Sequence, residues 1–219
     1  KHVHLKKKNK IIQIQNKALE LSMFLSLPAS VALLIGSEEI ISALFGYGSF
    51  NEDAVLNSGK ALFYFGMGLP AFALIKVFST FFFANHDTKT PFYISLISVI
   101  LNIIISVYYF KSVGFIIIPI ATTISSWFNS VILFIFLKNK ELFQFNKSFL
   151  LRFIKIIFLS ILMGIFFNYL IFNFEDKLAY DYYLKSFYLI ISVSLGLAFY
   201  LVMSLLTKAF KYEDIKLKY

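Results

Sequence analysis

The chain has 219 residues and a net charge of +9; 59% of its residues are hydrophobic and only 15% are charged. A soluble domain is nearer half apolar and a quarter charged, so these proportions indicate an integral membrane protein. Cysteine is absent, which excludes disulfides, a thiol nucleophile and cysteine-ligated metal.

In chain order, a basic segment comes first (1–18), with Lys1, Lys6, Lys7, Lys8, Lys10 and Lys17. The chain opens on Lys1 rather than methionine and so reads as part of a longer protein. Six apolar segments follow, at 19–45, 61–84, 92–110, 114–137, 149–172 and 187–206. Each is long enough for a helix that crosses about 30 Å of hydrocarbon. The runs are continuous rather than alternating, which excludes an eight-stranded barrel. The expected fold is an all-α integral membrane bundle of six transmembrane helices.

The first segment is expected to break at Gly36-Ser-Glu-Glu39 and continue as a short interfacial helix. No small-x-small cleavage site follows it, so it reads as a retained span. Glu38 and Glu39 are adjacent and point about 100° apart on a helix, which fits an interfacial helix end better than an opposed catalytic pair. Ser49-Phe-Asn-Glu52 has capping-box spacing and is expected to start the next helix.

The second segment carries Lys76 inside its apolar run and ends in the polar turn Ala84-Asn-His-Asp-Thr-Lys-Thr-Pro91. A charge at membrane depth costs on the order of 2.5–3.5 kcal/mol, so such a lysine faces a cavity, a partner or a pathway more often than lipid. Lys76 lies eight residues before Ala84, about 12 Å along the helix. That is farther than a lysine stem reaches, although snorkelling towards headgroups is the plainer alternative.

The third and fourth segments hold the intramembrane polar residues. Thr122, Ser126, Asn129 and Ser130 share one helical face, and Asn102 and Ser106 are one turn apart. Close helix packing explains such residues in the ordinary case; a wet or ion-holding face is the sharper reading. In the last two segments, Ser160/Gly164 and Ser192/Gly196 have small-xxx-small spacing and predict a tightly packed, lipid-facing pair. Tyr180, Tyr182, Tyr183 and Tyr188 read as an interfacial belt.

Sixteen basic residues fall in the tails and in the second-to-third and fourth-to-fifth connections. Only Lys60, Lys111, Lys177 and Lys185 fall on the opposite side, Lys76 being the remaining one. The positive-inside rule places both ends in the cytoplasm. The +9 is thus a topology signal, and nucleic acid is not expected as a partner. His2, His4 and His86 are scattered and form no zinc site. No constellation suited to enzymatic catalysis is present.

Ser26-Leu-Pro-Ala29, Ala43-Leu-Phe-Gly-Tyr-Gly-Ser-Phe50, Gly68-Leu-Pro-Ala-Phe-Ala-Leu-Ile-Lys-Val77, Phe83-Ala-Asn-His-Asp-Thr-Lys-Thr-Pro91, Leu101-Asn102 and Ala121-Thr-Thr-Ile-Ser-Ser-Trp-Phe-Asn129 follow one another in a familiar order and spacing. In these stretches the chain resembles the MurJ (MviN) family, the lipid II flippases of the multidrug/oligosaccharidyl-lipid/polysaccharide exporter superfamily. The resemblance is specific over about 19–140; beyond that, only span number and spacing fit. Family members have fourteen spans, and this chain is similar to the last six. The resemblance divides it into the basic segment 1–18, a four-helix part of the C-terminal lobe at 19–140, and two additional helices with a tail at 141–219.

The resemblance implies a transporter rather than an enzyme, in the bacterial inner membrane. It would move undecaprenyl-pyrophosphate-linked lipid II from the inner to the outer leaflet by alternating access, with membrane lipids and the remaining N-terminal helices as partners. Lys76, Thr122, Ser126 and Asn129 would line the substrate path. Asp87, Thr88, Lys89, Thr90 and Pro91 form the cytoplasmic turn motif. Phe153, Gly164 and Gly196 would belong to a lipid-tail groove.

Two departures stand out. Tyr47 occupies a place where the family commonly has arginine. Some members hold sodium with an asparagine, an aspartate and a threonine; Asn102 and Thr122 match, but Ser106 stands in place of the aspartate. Alternatives are an O-antigen or polysaccharide-repeat flippase, a drug exporter of the same superfamily, or a non-transporting scaffold whose polar residues serve packing alone.

Overall fold

The computed structural model describes residues 2–209, with side chains from Lys10 onward. The chain forms α1 (His2–Ile35), α2 (Ser37–Phe45), α3 (Glu52–Phe83), α4 (Lys89–Val113), a 3₁₀ turn (Gly114–Ile116), α5 (Ile117–Asn139), α6 (Lys147–Asn173), the short α7 (Glu175–Leu178) and α8 (Lys185–Leu206). No strand occurs among the described residues. Five stretches are long and apolar enough to cross a membrane; one of them, Lys89–Asn139, contains both α4 and α5. Asn102 bonds Thr122 and Ser125, and Asn129 bonds Ser95, so the paired numbers rise on one helix as they fall on the other. That is an antiparallel hairpin, reversed at Gly114 with φ +76°, so six helices of crossing length are present.

α1 begins far before position 19, and its 34 residues span about 51 Å, well beyond the hydrocarbon thickness. The break at Gly36 is observed, with α2 starting at Ser37. The capping expectation at Ser49 is corrected. The N-cap of α3 is Asn51, in extended backbone, whose side chain accepts from Ala54 N at 3.0 Å. An asparagine oxygen directly before the first helical turn meets that orphan amide, whereas Ser49 lies outside the helix.

α3 is central, with α1 along one side and α5 along the other; α4 packs on α5, and α6 lies against α1 and carries α8. At the lysine-rich end, α3, α5 and α8 close in the same manner. His86, Glu141 and Lys208 adopt φ of 59°, 55° and 53°. The next amide in each case bonds five residues back, as in Asp87 N to Phe82 O. Glycine usually fills this position. His86 is thereby a turn residue.

An aromatic-rich core gathers Phe78, Phe81, Phe82, Phe143 and Phe149 at the lysine-rich end, and a second joins Phe24, Ile156, Met163, Phe167 and Tyr200 across α1, α6 and α8. The small-residue pair needs correction. A Cβ on Gly196 would lie 3.6 Å from Phe167 of α6, as expected for α6–α8 packing. A Cβ on Gly164 would lie 2.5 Å from Val31 Cγ1, so this glycine admits α1, not α8. Spacing finds small residues but does not name the helix they face.

Candidate functional site

Three of the four expected path residues come together. Thr122, Ser126 and Asn129 line a groove of about 270 Å³ between α4 and α5, together with Ser95, Ser98 and Asn102. The groove carries no charge. Most of its hydroxyl protons return to their own helices: Ser98 donates to Ile94 O, Thr122 to Ile118 O, and Ser125 and Ser126 to Thr122 O. The hydroxyls therefore present mainly lone pairs, joined by the buried, unpartnered Oδ1 of Asn129. Ser130 turns away and lines an apolar groove instead.

Lys76 sits on the exposed face of α3. Its ammonium makes no hydrogen bond or ion pair among the described residues; only its carbonyl is engaged, by Thr80 at 2.8 Å. It does not line the α4–α5 groove.

Asn102 turns its amide nitrogen towards Thr122 at 3.1 Å, and Ser106 Oγ is buried without a partner. A cation site needs converging oxygens and usually a carboxylate. Here the Asn102 amide nitrogen, rather than its oxygen, faces Thr122, and no carboxylate stands among the groove's lining residues.

The turn motif forms a clamp. Asp87 Oδ1 accepts from Thr90 N at 3.0 Å and Oδ2 from Thr90 Oγ1 at 2.7 Å, capping α4 one residue further out than Thr88. Lys140, at the end of α5, reaches Asp87 at 2.6 Å and Thr90 at 3.0 Å. The Lys140 ammonium first, then the Thr90 donors, hold the Asp87 carboxyl down to about 2. Thr88 and Lys89 are exposed, and Pro91 occupies the first turn of α4, where no intrahelical donor is needed.

Phe153, Gly164 and Gly196 occupy three different places. Phe153 lines an apolar groove of about 240 Å³ with Leu19, Phe78 and Phe149. Gly196 lines a second, about 220 Å³, with Pro28, Met163 and Tyr200. Gly164 is buried beneath α1.

Two features were missed in the sequence. Lys185, expected as a loop charge, is 1% exposed. Its ammonium donates to Gly46 O at 2.7 Å and Tyr180 O at 2.5 Å and lies 4.5 Å from the ring centres of Tyr47 and Tyr180. Two carbonyls and two ring faces replace an acid as its counter-environment. Around it, Tyr47 OH meets Ser186 Oγ, and Tyr180 OH donates to Phe50 O. Only the Tyr47 departure pointed here.

At the opposite end, Arg152 pairs with Glu20 at 2.8 Å. Gln15 and Asn16 donate to Leu142 O and Gln144 O, so α1 is stitched to the α5–α6 connection. In α2, burial first of all raises the Glu39 carboxyl.

Residues 1–193 match the family model described as "Lipid II flippase MurJ". A probable lipid II flippase MurJ of Rickettsia prowazekii (strain Madrid E) is 32% identical over 209 residues, which is 92% of this chain and 40% of that protein. One from Rhizobium meliloti (strain 1021) is 40% identical over 126 residues, 58% of this chain and 24% of the relative. Among solved structures, a lipid II flippase MurJ in an inward closed conformation superposes with a TM-score of 0.76 at 25% identity, over 96% of this chain and 41% of that one. The chain thus spans between about a quarter and two fifths of the length of these relatives.

Proposed function

The chain belongs to the MurJ lipid II flippase family, and from that premise we propose that it forms part of a transporter that carries lipid II across the bacterial inner membrane. It is a multi-pass membrane protein. Transport proceeds by alternating access between two lobes and involves no covalent chemistry. The observation that carries this reading is the match with flippases over nearly the whole bundle, which favours it over an exporter of other cargo or a scaffold.

In this reading the lysine-rich end, with both termini and the clamp around Asp87, faces the cytoplasm, and the Lys185 cage faces outward. Lys76 offers its charge to the pyrophosphate or to lipid phosphate, and the α4–α5 groove faces the further helices that the longer relatives carry. The apolar grooves lined by Phe153 and Gly196 receive acyl or polyprenyl chains.

Depletion in cells tests the function. Accumulation of lipid II in the inner leaflet, relieved by re-expression, is the expected result. Unchanged lipid II with mislocalised cell-wall enzymes would instead support a scaffold. Labelling of single cysteines tests orientation: a cysteine at Asn51 should react from outside the inner membrane and one at Lys89 only after permeabilisation.

A further inference from the structure

α1 and α3 each contain a proline well inside the helix, Pro28 and Pro70. Proline has no N–H, so the carbonyl four residues earlier loses its helical donor. The carbonyls concerned are those of Phe24 and Gly66. In the bilayer core no water replaces the lost bond.

Both gaps are filled in the same way, from a neighbouring helix. Ser30 of α1 donates to Gly66 O at 2.7 Å, and Tyr200 of α8 donates to Phe24 O at 2.9 Å. Both bonds are buried. These hydroxyls depart from the common habit of the bundle, in which Ser98, Thr122, Ser160 and Ser192 each bond a carbonyl of their own helix.

The turn before Pro70 is also held from the other side. Thr123 of α5 donates to Tyr64 O at 2.6 Å, and Trp127 to Met67 O at 3.0 Å. A Cβ at Gly66 would come within 2.9 Å of Leu33, and one at Gly68 within 3.0 Å of Thr123 Oγ1. Glycines at these two positions leave room for both neighbours to reach the α3 backbone closely.

We propose that the two proline gaps are the bending points of this bundle, and that Ser30 and Tyr200 are positioning residues that lock them. The bonds run from α8 to α1, from α1 to α3, and from α5 to α3. A bend at Pro70 loads α1 and α5, and a bend at Pro28 loads α8, so the four helices change shape together. The role in transport rests on the flippase reading; the lock itself does not.

The experiment pairs each hydroxyl with its proline in the full-length protein. Ser30→Ala and Tyr200→Phe are made alone and in the Pro70→Ala and Pro28→Ala backgrounds. Alanine restores the missing N–H, so the hydroxyl becomes redundant. The readouts are the thermal midpoint in detergent, the distance between spin labels at Asn51 and Asn85 flanking α3, and lipid II transport in vesicles.

Ser30→Ala is expected to lower the midpoint by a few degrees and broaden the α3 distance distribution, and to do neither in the Pro70→Ala background. Tyr200→Phe should lose its effect only in the Pro28→Ala background. Equal cost in every background, or no cost in any, overturns the lock. Intact coupling with transport unchanged in all variants overturns the positioning role. A wild-type protein that transports nothing sinks the flippase reading, and the thermal cycles still decide the lock.

Discussion

Gly164 and Gly196 carry the same small-xxx-small signature, yet the same substitution should act on them with opposite sign. Replacing a helical glycine by alanine favours the helix by about 0.5–1 kcal/mol. At Gly196 the new methyl meets Phe167 Cδ2 at 3.6 Å and Met163 Sδ at 3.8 Å, ordinary contact distances, so the gain is kept. At Gly164 it meets Val31 Cγ1 at 2.5 Å and Ile35 Cδ1 at 3.0 Å. Valine is stiff at χ1, so α1 and α6 must part.

Overpacking of this kind costs typically about 1–3 kcal/mol. After the propensity gain, Gly164→Ala should lose up to roughly 2 kcal/mol, while Gly196→Ala gains about 0.5–1 kcal/mol. Thermal unfolding in detergent, followed by helical circular dichroism, reads the difference as midpoints on opposite sides of wild type. Val31→Ala should restore the Gly164→Ala variant by making room. A Gly164→Ala midpoint at or above wild type, or equal losses at both positions, would refute the reasoning.

The Asp87 clamp should depend on pH in one direction. A carboxyl whose folded pKa is depressed stabilises above its unfolded value of about 3.9 and loses that contribution as pH falls through the folded value. With the folded value at about 2, the clamp holds at neutral pH and opens between about pH 4 and 2. Lys140→Met should return the Asp87 carboxyl towards its ordinary range by carbon NMR, and an unmoved titration would count against the pairing. Lys185→Met should leave Gly46 O and Tyr180 O unpaired in a buried site, at a cost of about 1–3 kcal/mol. Faster hydrogen exchange confined to 43–50 and 180–186 is the expected signature, and unchanged exchange there would contradict it. Lys76→Met in the full-length protein should impair lipid II flipping at normal protein levels, with Lys76→Arg partly tolerated; full activity of the methionine variant would leave Lys76 without a transport role.

Hydropathy runs, proline and glycine punctuation and lysine placement are local properties, and they determined the class, the six helices of crossing length, the break at Gly36 and the grouping of the connections by end. A bilayer accepts only helices of a given apolar length with their backbone bonds closed internally, so these features follow from the chain itself. The polar contact between α4 and α5 was legible for the same reason, because a short reversal at Gly114 leaves Asn102 and Thr122 little choice but to meet.

Contacts between distant segments were decided by the tertiary structure alone. Tyr200 and Phe24 are 176 positions apart, Lys185 and Gly46 139, and Gln15 and Leu142 127. Whether a glycine faces α1 or α8, or whether a loop lysine is wet or enclosed, depends on which helix surfaces meet. Helix spacing repeats identically on every helix and so cannot name the partner; only close packing in three dimensions does, through contacts such as Val31 against Gly164 and two tyrosine rings around one ammonium.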